Sequence, residues 1–307
     1  MGKIGIIGSG NVGANAAFFI AEKAIEDVLL FDTREGLPAG KSLDMMEAAP
    51  IRKYRSRIRR IGDIGEAAGS EAIIIAAGRT CPVGGKSAGL LGENWETVRE
   101  ITGTILKVSP GSVLVVATEP VDLLVGLIAR TFAVPRERLL GLGGILDSTR
   151  LKAALSVELG ISTENITAMV IGRHADDMIA PGDYARVAGI PISQLMPEAD
   201  IGRLMDGVRN ADRLMAELSE CPGSYYSPSA SAAEAVEAIH RDMKRILPVS
   251  VELRGEYGIK GVALSLPCVI GAGGVERVLT PDLSKAERDA LKGSAERMAK
   301  EMEGLLP

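Results

Sequence analysis

The chain has 307 residues, of which 46% are hydrophobic and 24% are charged, a balance typical of a globular protein with a substantial core. The formal net charge of −5 argues against a surface that binds nucleic acid, and no apolar run is long enough for a membrane span. The widely spaced Cys81, Cys221 and Cys268 fit neither a disulfide framework nor a zinc site. We therefore expect a soluble cytoplasmic protein of one large or two medium-sized domains, without a metal and without nucleic-acid or membrane partners.

A glycine-rich turn separates a predicted strand at residues 3–7 from a predicted helix at residues 14–23. The turn reads Gly8-Ser9-Gly10-Asn11-Val12-Gly13. In this pattern Gly8 permits the tight turn, Gly10 lets the backbone approach a pyrophosphate, and Gly13 lets the helix pack closely on the strand. The amino end of the helix then offers N–H groups to phosphate oxygens. The turn predicts a dinucleotide site, to which we also assign Asn11 and Val12.

An acidic residue follows the second predicted strand. That strand, at residues 28–31, ends at Asp32, which lies 19 positions after Gly13. A carboxylate at this position accepts hydrogen bonds from ribose hydroxyls and repels a 2′-phosphate. The sequence therefore predicts NAD as the cofactor rather than NADP, and the neighbouring Arg34 weakens this preference slightly.

Strands and helices continue to alternate up to residue 145. We predict helices at 36–49, 90–107 and 123–132, and strands at 71–78, 112–117 and from 139 onward. Near-continuous apolar strands that alternate with helices predict a doubly wound parallel sheet of the Rossmann type. Ligands bind at the carboxyl ends of such strands, where Gly8, Asp32, Gly78 and Glu119 fall. Residues 1–145 are thus predicted to form an NAD-binding domain, with Gly78 at the cofactor.

The alternation stops in the second half of the chain. Here we predict a helix at 148–159, a strand at 166–171, helices at 201–218 and 229–246, strands at 248–253 and 261–270, and a final helix at 284–303. The order indicates a mixed α+β substrate domain over residues 146–307. The strand at 166–171 leads to His174, one of only two histidines. Histidine changes its protonation near neutral pH, so His174 is either a proton-transfer group or a buried structural residue.

Two short motifs in this half carry a resemblance to a known family. Leu146-Asp147-Ser148-Thr149-Arg150 is similar to L-D-x-x-R, and Gly172-Arg173-His174-Ala175-Asp176 is similar to G-x-H-G-D. Together with the glycine-rich turn at residues 8–13 and the segment Ser224-Tyr225-Tyr226-Ser227-Pro228, these motifs resemble the lactate/malate dehydrogenase family over the whole chain. The likeness is strongest to the lactate-dehydrogenase-like malate dehydrogenases.

The resemblance implies an NAD-dependent oxidoreductase that transfers hydride between NAD and a 2-hydroxy/2-oxo acid. It implies that His174 exchanges the hydroxyl proton, that Asp147 orients its ring, and that Arg150 grips the substrate carboxylate. Asn94 and Ala117 would line the cofactor. The family also implies a homo-oligomer, with a tetramer favoured over a dimer, and a place in the tricarboxylic acid cycle.

The chain departs from the family pattern at the substrate. The mobile loop of the family normally carries two arginines, and their positions here hold Cys81 and Ser87. Glu119 replaces the usual asparagine, and Arg173 and Ala175 replace the glycines beside the histidine. We assign Cys81, Ser87 and Glu119 to the substrate site. Loss of a charged donor at the reacting carbonyl costs a few kcal/mol of transition-state stabilisation, and a carboxylate in the site repels a dianion.

Three hypotheses follow from these departures. The enzyme has changed its substrate to a 2-hydroxy acid with a neutral or cationic tail that pairs with Glu119. Alternatively, it remains a malate dehydrogenase in which Lys86 or Arg79 substitutes for the missing arginines. In the third, it is an NAD-binding homologue with little or no turnover that acts as a sensor or assembly partner. The pair of Asp147 and His174 counts against the third, because a protein without turnover does not need it.

Overall fold

The computed structural model describes residues 2–80, 90–220 and 223–305. Three residues that the sequence assigns to the substrate loop, Cys81, Lys86 and Ser87, lie outside this range. Within it, helices and strands follow one another through most of the chain, and the segment at 168–181 that carries His174 is irregular.

The strands form one large sheet and one small sheet. Their bounds are β1 (Ile4–Ile7), β2 (Val28–Phe31), β3 (Ile58–Arg60), β4 (Ala72–Ile75), β5 (Val113–Val116), β6 (Leu139–Gly141), β7 (Ile166–Thr167), β8 (Arg186–Val187), β9 (Ile190–Pro191), β10 (Arg245–Arg254), β11 (Lys260–Gly271) and β12 (Gly274–Val278). The large sheet has the order β12-β11-β10-β6-β5-β4-β1-β2-β3, and β7, β8 and β9 form the small sheet. Strands β1 to β6 pair in parallel, which confirms the predicted Rossmann sheet. Strands β10 to β12 extend it with antiparallel pairs.

Helices cover the sheet and connect its strands. Their bounds are α1 (Asn11–Glu22), α2 (Gly36–Arg52), α3 (Leu90–Val108), α4 (Val121–Thr131), α5 (Gly143–Leu159), α6 (Glu198–Arg209), α7 (Ala211–Ser219), α8 (Tyr226–His240) and α9 (Lys285–Glu303). Helix α8 packs on α1 and so joins the second half of the chain to the first. Helix α5 runs through position 145, so a continuous helix connects the two halves. In the described part of the chain, no helix is both long and apolar enough to cross a bilayer.

Burial follows the apolar runs of the sequence. Every residue of β1 and β4 is buried, and the isoleucines of β4 are fully shielded from solvent. A parallel strand covered by helices on both faces has no solvent side, which explains why it shows no polar alternation. A second, smaller core lies between α5, α6 and the small sheet. The main core packs the parallel strands whose carboxyl ends carry the loops of the site.

Three predicted elements of the second half differ from the structure. The strand predicted at 166–171 is only β7, after which Ile171 and Gly172 form isolated bridges. The helix predicted at 201–218 breaks at Asn210 into α6 and α7. The helix predicted at 229–246 ends at His240, because a turn with positive φ at Asp242 and Lys244 leads into β10. The apolar spacing is compatible with a continuous helix in both cases, and only tertiary contacts end it.

Candidate active site

The amino-terminal glycines shape an open cradle at the start of α1. Gly8 has a φ of +108°, and a Cβ there would lie 2.5 Å from the Ala77 nitrogen. A Cβ at Gly13 would lie 1.9 Å from the Gly8 carbonyl oxygen, so the strand and helix touch as predicted. A Cβ at Gly10 would meet no described residue within 4 Å, and none of the described side chains caps α1. Open space beside uncapped helical N–H groups fits a pyrophosphate.

Asp32 stands at the end of β2, next to this cradle. Its carboxylate accepts hydrogen bonds from the Ser9 N–H at 2.9 Å and from the Arg34 N–H and Nε at 3.0 and 3.1 Å. Burial acts to raise the pKa of Asp32, but the bonds from Arg34 and Ser9 outweigh it and lower the pKa below its usual value. The ionised carboxylate fits a ribose diol, while the exposed Arg34 beside it adds a positive charge.

Asn94 joins the loops that follow β4 and β5. It is buried at 1% exposure, and its Oδ1 accepts the Arg79 N–H at 2.7 Å. Its Nδ2 donates to the carbonyl oxygens of Arg79 and Glu119 at 2.9 and 2.6 Å. Gly78, with a φ of +154°, lets Asn94 approach, because a Cβ there would lie 2.9 Å from Oδ1. The amide therefore holds both loops in place, and its predicted contact with the cofactor stays a prediction.

A cavity of about 910 Å³ extends from the cradle into the second half of the chain. Val12, Gly78 and Ala117, three residues predicted at the cofactor, line it on the Rossmann side. Glu119 and His174 line the other side, where Asp212 joins them. The fold thus brings the predicted cofactor and proton-transfer residues to one space.

The backbone around His174 is held by β11 and α4. The N–H of Gly172 donates to the Ser265 carbonyl at 2.9 Å, and the Ser265 N–H returns a bond to the Gly172 carbonyl at 2.8 Å. The His174 N–H donates to Asp122 Oδ2 at 2.6 Å. At the start of α5, a Cβ on Gly143 would lie 2.8 Å from the His174 Cβ. Only a glycine there lets α5 pass so close to the histidine.

The His174 ring is oriented by Asp147, a residue of α5 with 1% exposure. Nδ1 lies 2.8 and 2.9 Å from the two carboxylate oxygens of Asp147. Nε2 faces the cavity, 3.5 Å from Glu119 Oε1 and 3.7 Å from Asp212 Oδ2. Burial favours the neutral ring, but the carboxylates of Asp147, Glu119 and Asp212 outweigh it and raise the pKa of His174 to about 10. The structure therefore presents a protonated imidazole to the cavity at neutral pH.

Asp122 supports this site and was missed from the sequence. It is 2% exposed, and its Oδ1 finds no hydrogen-bond partner among the described residues. Burial raises its pKa to about 6, and the nearby Ser250 hydroxyl and the bond from the His174 N–H offset only part of that rise. Its position at the start of α4, just beyond β5, is the sequence signal that would have indicated it, because ligand sites form at such strand ends.

Arg150, predicted to grip the substrate carboxylate, is engaged by a carboxylate of the chain itself. Its Nη1 and Nη2 donate to the two oxygens of Asp212 at 2.8 and 2.5 Å. Nη2 also reaches Ser224 Oγ at 2.9 Å. Burial acts to raise the pKa of Asp212, but the bonds from Arg150 lower it below its usual value. No local motif distinguishes Asp212 within α7, so sequence reasoning missed it.

The other arginines around the cavity are also paired. In the described ranges, each arginine that lines the cavity lies within 3.0 Å of a carboxylate oxygen: Arg79 with Glu93, Arg173 with Glu301, and Arg213 with Glu217. Beside His174, the side chains of Glu119 and of Asp212, which pairs with Arg150, are 43% and 45% exposed. The surface next to His174 is therefore acidic.

A Rossmann cradle beside a histidine that a carboxylate orients defines a class, the NAD-dependent dehydrogenases that act on a CH–OH group. Family comparison agrees: residues 2–141 match the lactate/malate dehydrogenase NAD binding domain, and residues 145–306 match the lactate/malate dehydrogenase alpha/beta C-terminal domain. The chain belongs to the lactate/malate dehydrogenase family, as its motifs predicted, and it is an NAD-dependent oxidoreductase of the malate dehydrogenase type.

Individual relatives match over nearly the full length. The malate dehydrogenase of Chloroherpeton thalassium is 38% identical over 302 residues, covering 98% of this chain and 97% of that protein. The malate dehydrogenase of Picrophilus torridus, solved in its apo form, is 34% identical with a TM-score of 0.94, covering 99% and 97% of the two chains. The lactate dehydrogenase of Cryptosporidium parvum, solved with lactic acid and NAD, is 28% identical with a TM-score of 0.95, covering 100% and 99%.

Proposed function

We propose that the protein transfers hydride between NAD and a 2-hydroxy/2-oxo acid, with His174 as the group that exchanges the hydroxyl proton. The observation that carries this proposal is the orientation of the ring: Asp147 holds Nδ1 at 2.8 Å while Nε2 faces the cavity beside the cradle. Bound NAD supplies the hydride acceptor in oxidation and, as NADH, the donor in reduction.

Several residues of the cradle hold the cofactor in this proposal. The backbone from Gly8 to Gly13, including Asn11 and Val12, receives the pyrophosphate at the amino end of α1. Asp32 accepts hydrogen bonds from the ribose, and Gly78 and Ala117 line the path toward His174. Asn94 acts on this path by holding the two loops together.

His174 moves the proton, and Asp147 holds its ring in place. In oxidation, Nε2 takes the proton of the substrate hydroxyl, and in reduction it returns that proton to the carbonyl oxygen. The bond between Nδ1 and Asp147 fixes the tautomer in which Nε2 carries the lone pair. Because three carboxylates stabilise the imidazolium, His174 is protonated in the free enzyme at neutral pH. This is the form of the ring that donates a proton in reduction.

Arg150 binds the carboxylate beside the reacting carbon. To bind there, the substrate carboxylate replaces Asp212 on Nη1 and Nη2, which already make a bidentate contact with a carboxylate. Replacing one carboxylate by another keeps the buried guanidinium paired. Asp212 then needs a different partner.

Malate and oxaloacetate remain candidate substrates, because the curated relatives are named malate dehydrogenases. The acidic surface argues against them. A second substrate carboxylate about 4 Å from Glu119 would be repelled by about 1 kcal/mol in water-like surroundings and about 4 kcal/mol in a partly buried site. Arg79, one proposed replacement for the missing arginines, pairs with Glu93 at 3.0 Å. Lys86, the other, lies outside the described residues.

A panel of 2-oxo acids tests the proposal, with NADH oxidation followed at saturating cofactor. We expect turnover with at least one 2-oxo acid. His174→Gln should lower kcat by about 10²- to 10⁴-fold, the range for losing a general acid–base group, while NADH binding by fluorescence stays unchanged. If NADH binds and no 2-oxo acid is reduced, the protein is instead an NAD-binding homologue without turnover.

We further propose a homotetramer rather than a dimer, working in the cytoplasm. Self-association would bury exposed apolar side chains: on α2, Leu43 and Ile51 are 62% and 81% exposed, and interfaces of stable homo-oligomers are rich in apolar surface. Light scattering on the purified protein at several concentrations measures the number of subunits. A role in the tricarboxylic acid cycle depends on the outcome for oxaloacetate in the same panel.

A further inference from the structure

We propose that the substrate of this dehydrogenase is a 2-hydroxy/2-oxo acid with a positively charged tail, and that Glu119 and Asp212 bind the positive charge. The proposal rests on the function proposed above and specifies its substrate class. It predicts an acid that is a zwitterion at neutral pH, with its carboxylate on Arg150.

The first observation is the number of carboxylates at the reacting group. Asp147, Glu119 and Asp212 each place an oxygen within 3.7 Å of a His174 ring nitrogen. Asp147 is buried behind the ring and serves its orientation. Glu119 and Asp212, the latter paired with Arg150, lie on the Nε2 side of the ring and face the cavity with nearly half of each side chain exposed. Two ionisable acids on the substrate side of one histidine form a binding site for a cation.

The second observation is that both carboxylates are already oriented. The Val121 N–H donates to Glu119 Oε2 at 3.2 Å, which leaves Oε1 directed toward His174. Ser224 Oγ donates to Asp212 Oδ1 at 2.7 Å. Neither of these bonds comes from the Arg150 guanidinium that the substrate carboxylate would occupy. Each acid therefore keeps a fixed position from which it can accept a hydrogen bond from an ammonium or guanidinium group.

The third observation is the balance of charge at Arg150. A substrate carboxylate displaces Asp212 from the guanidinium, and a cationic tail supplies the partner that Asp212 loses. A zwitterion therefore leaves each buried or half-buried charge paired, which is the condition for placing charges in such a site. Malate would instead add a second anion beside Glu119 and Asp212. Each remaining arginine at the cavity, within the described ranges, has an acid beside it: Glu93, Glu301 or Glu217.

The test compares three 2-hydroxy acids of similar length that differ in the charge of the tail. They are malate, its 4-amide, and 4-amino-2-hydroxybutanoate, each oxidised with NAD by the wild-type protein and by Glu119→Gln, Asp212→Asn and Glu217→Gln. Glu217 is the matched control, because it is an acid at the rim of the same cavity that is paired with Arg213. Each variant is judged by the ratio of kcat/KM for the ammonium tail to kcat/KM for malate. The ratio cancels any general loss of activity.

We expect the wild-type ratio to exceed about ten, and Glu119→Gln and Asp212→Asn each to lower it by about tenfold, as expected for one lost charge contact. Glu217→Gln should leave it unchanged. If the wild type prefers malate or the amide, or if neither substitution lowers the ratio, the cationic substrate is ruled out while the dehydrogenase function stands. If no tested hydroxy acid is oxidised and no 2-oxo acid is reduced, although NADH binds, the proposed function itself fails.

Discussion

Replacing Glu119 by glutamine removes one of the three carboxylates around His174 and preserves the length of the side chain. The Glu119 Oε1 lies 3.5 Å from Nε2 of the ring, so the negative charge stabilises the imidazolium directly. Without it the neutral ring is favoured, and the pKa of His174 must fall from its value of about 10. The pKa falls rather than rises because the substitution removes an anion beside the cationic form of the ring.

The distance between Glu119 and the His174 ring sets how far the pKa of His174 falls. A charge pair 3.5 Å apart is worth about 1.2 kcal/mol at the dielectric constant of water and about 4.7 kcal/mol at an effective value of 20. Since 1.36 kcal/mol corresponds to one pKa unit, these limits amount to about 0.9 and 3.5 pH units. The Glu119 side chain is 43% exposed, so solvent screens the pair strongly. We expect the pKa of His174 to fall by about one unit.

The pH dependence of kcat/KM for reduction measures this change, because reduction needs a protonated His174 in the free enzyme. The wild-type profile should stay level through neutral pH and decline around pH 10, whereas Glu119→Gln should decline around pH 9. The oxidation profile should rise over the same intervals. Glu217→Gln, which removes an acid paired with Arg213, should keep the wild-type profile. A Glu119→Gln profile that coincides with the wild type, or that moves to higher pH, would refute the electrostatic reasoning.

Two further predictions concern the cofactor cradle. Asp32→Ser removes the carboxylate that Arg34 contacts at 3.1 Å, so the freed guanidinium should accept a 2′-phosphate and lower KM for NADPH by about tenfold. An unchanged ratio of kcat/KM for NADPH to kcat/KM for NADH would contradict this prediction. Gly13→Ala places a Cβ 1.9 Å from the Gly8 carbonyl oxygen and should lower the free energy of unfolding by about 1–3 kcal/mol, measured by urea denaturation. Gly10→Ala, whose Cβ meets no described residue within 4 Å, should weaken NADH binding and leave the free energy of unfolding unchanged. Equal losses of stability in Gly13→Ala and Gly10→Ala would count against this geometry.

The sequence allowed the cradle to be predicted in detail because its signals are local. The glycine spacing, the apolar strand before it and Asp32 after the second strand lie within one βαβ unit. Apolar strands between helices then indicate a parallel sheet, since such strands are buried on both faces. The division of the chain at position 145 stays a prediction, because α5 runs through it.

The second half was harder to predict because its elements depend on distant contacts. The segment that carries His174 is not a regular strand and is held by bridges to β11. The end of α8 and the break before α7 leave the helical spacing of apolar residues intact, so the sequence alone favours longer helices there.

Residue types at short, fixed spacings predicted NAD as the cofactor, and the motifs that resemble the lactate/malate dehydrogenase family implied the roles of His174 and Asp147 and the class of reaction. Tertiary structure decided what surrounds the reacting nitrogen. Asp212 reaches Arg150 from 62 residues away, and Asp122 reaches the His174 backbone from 52 residues away. Glu119 was noticed as a departure from the family, but only the fold places it 3.5 Å from Nε2. Electrostatic energy depends on distance in space rather than along the chain, so the acidity of this substrate site emerges only when the chain is folded.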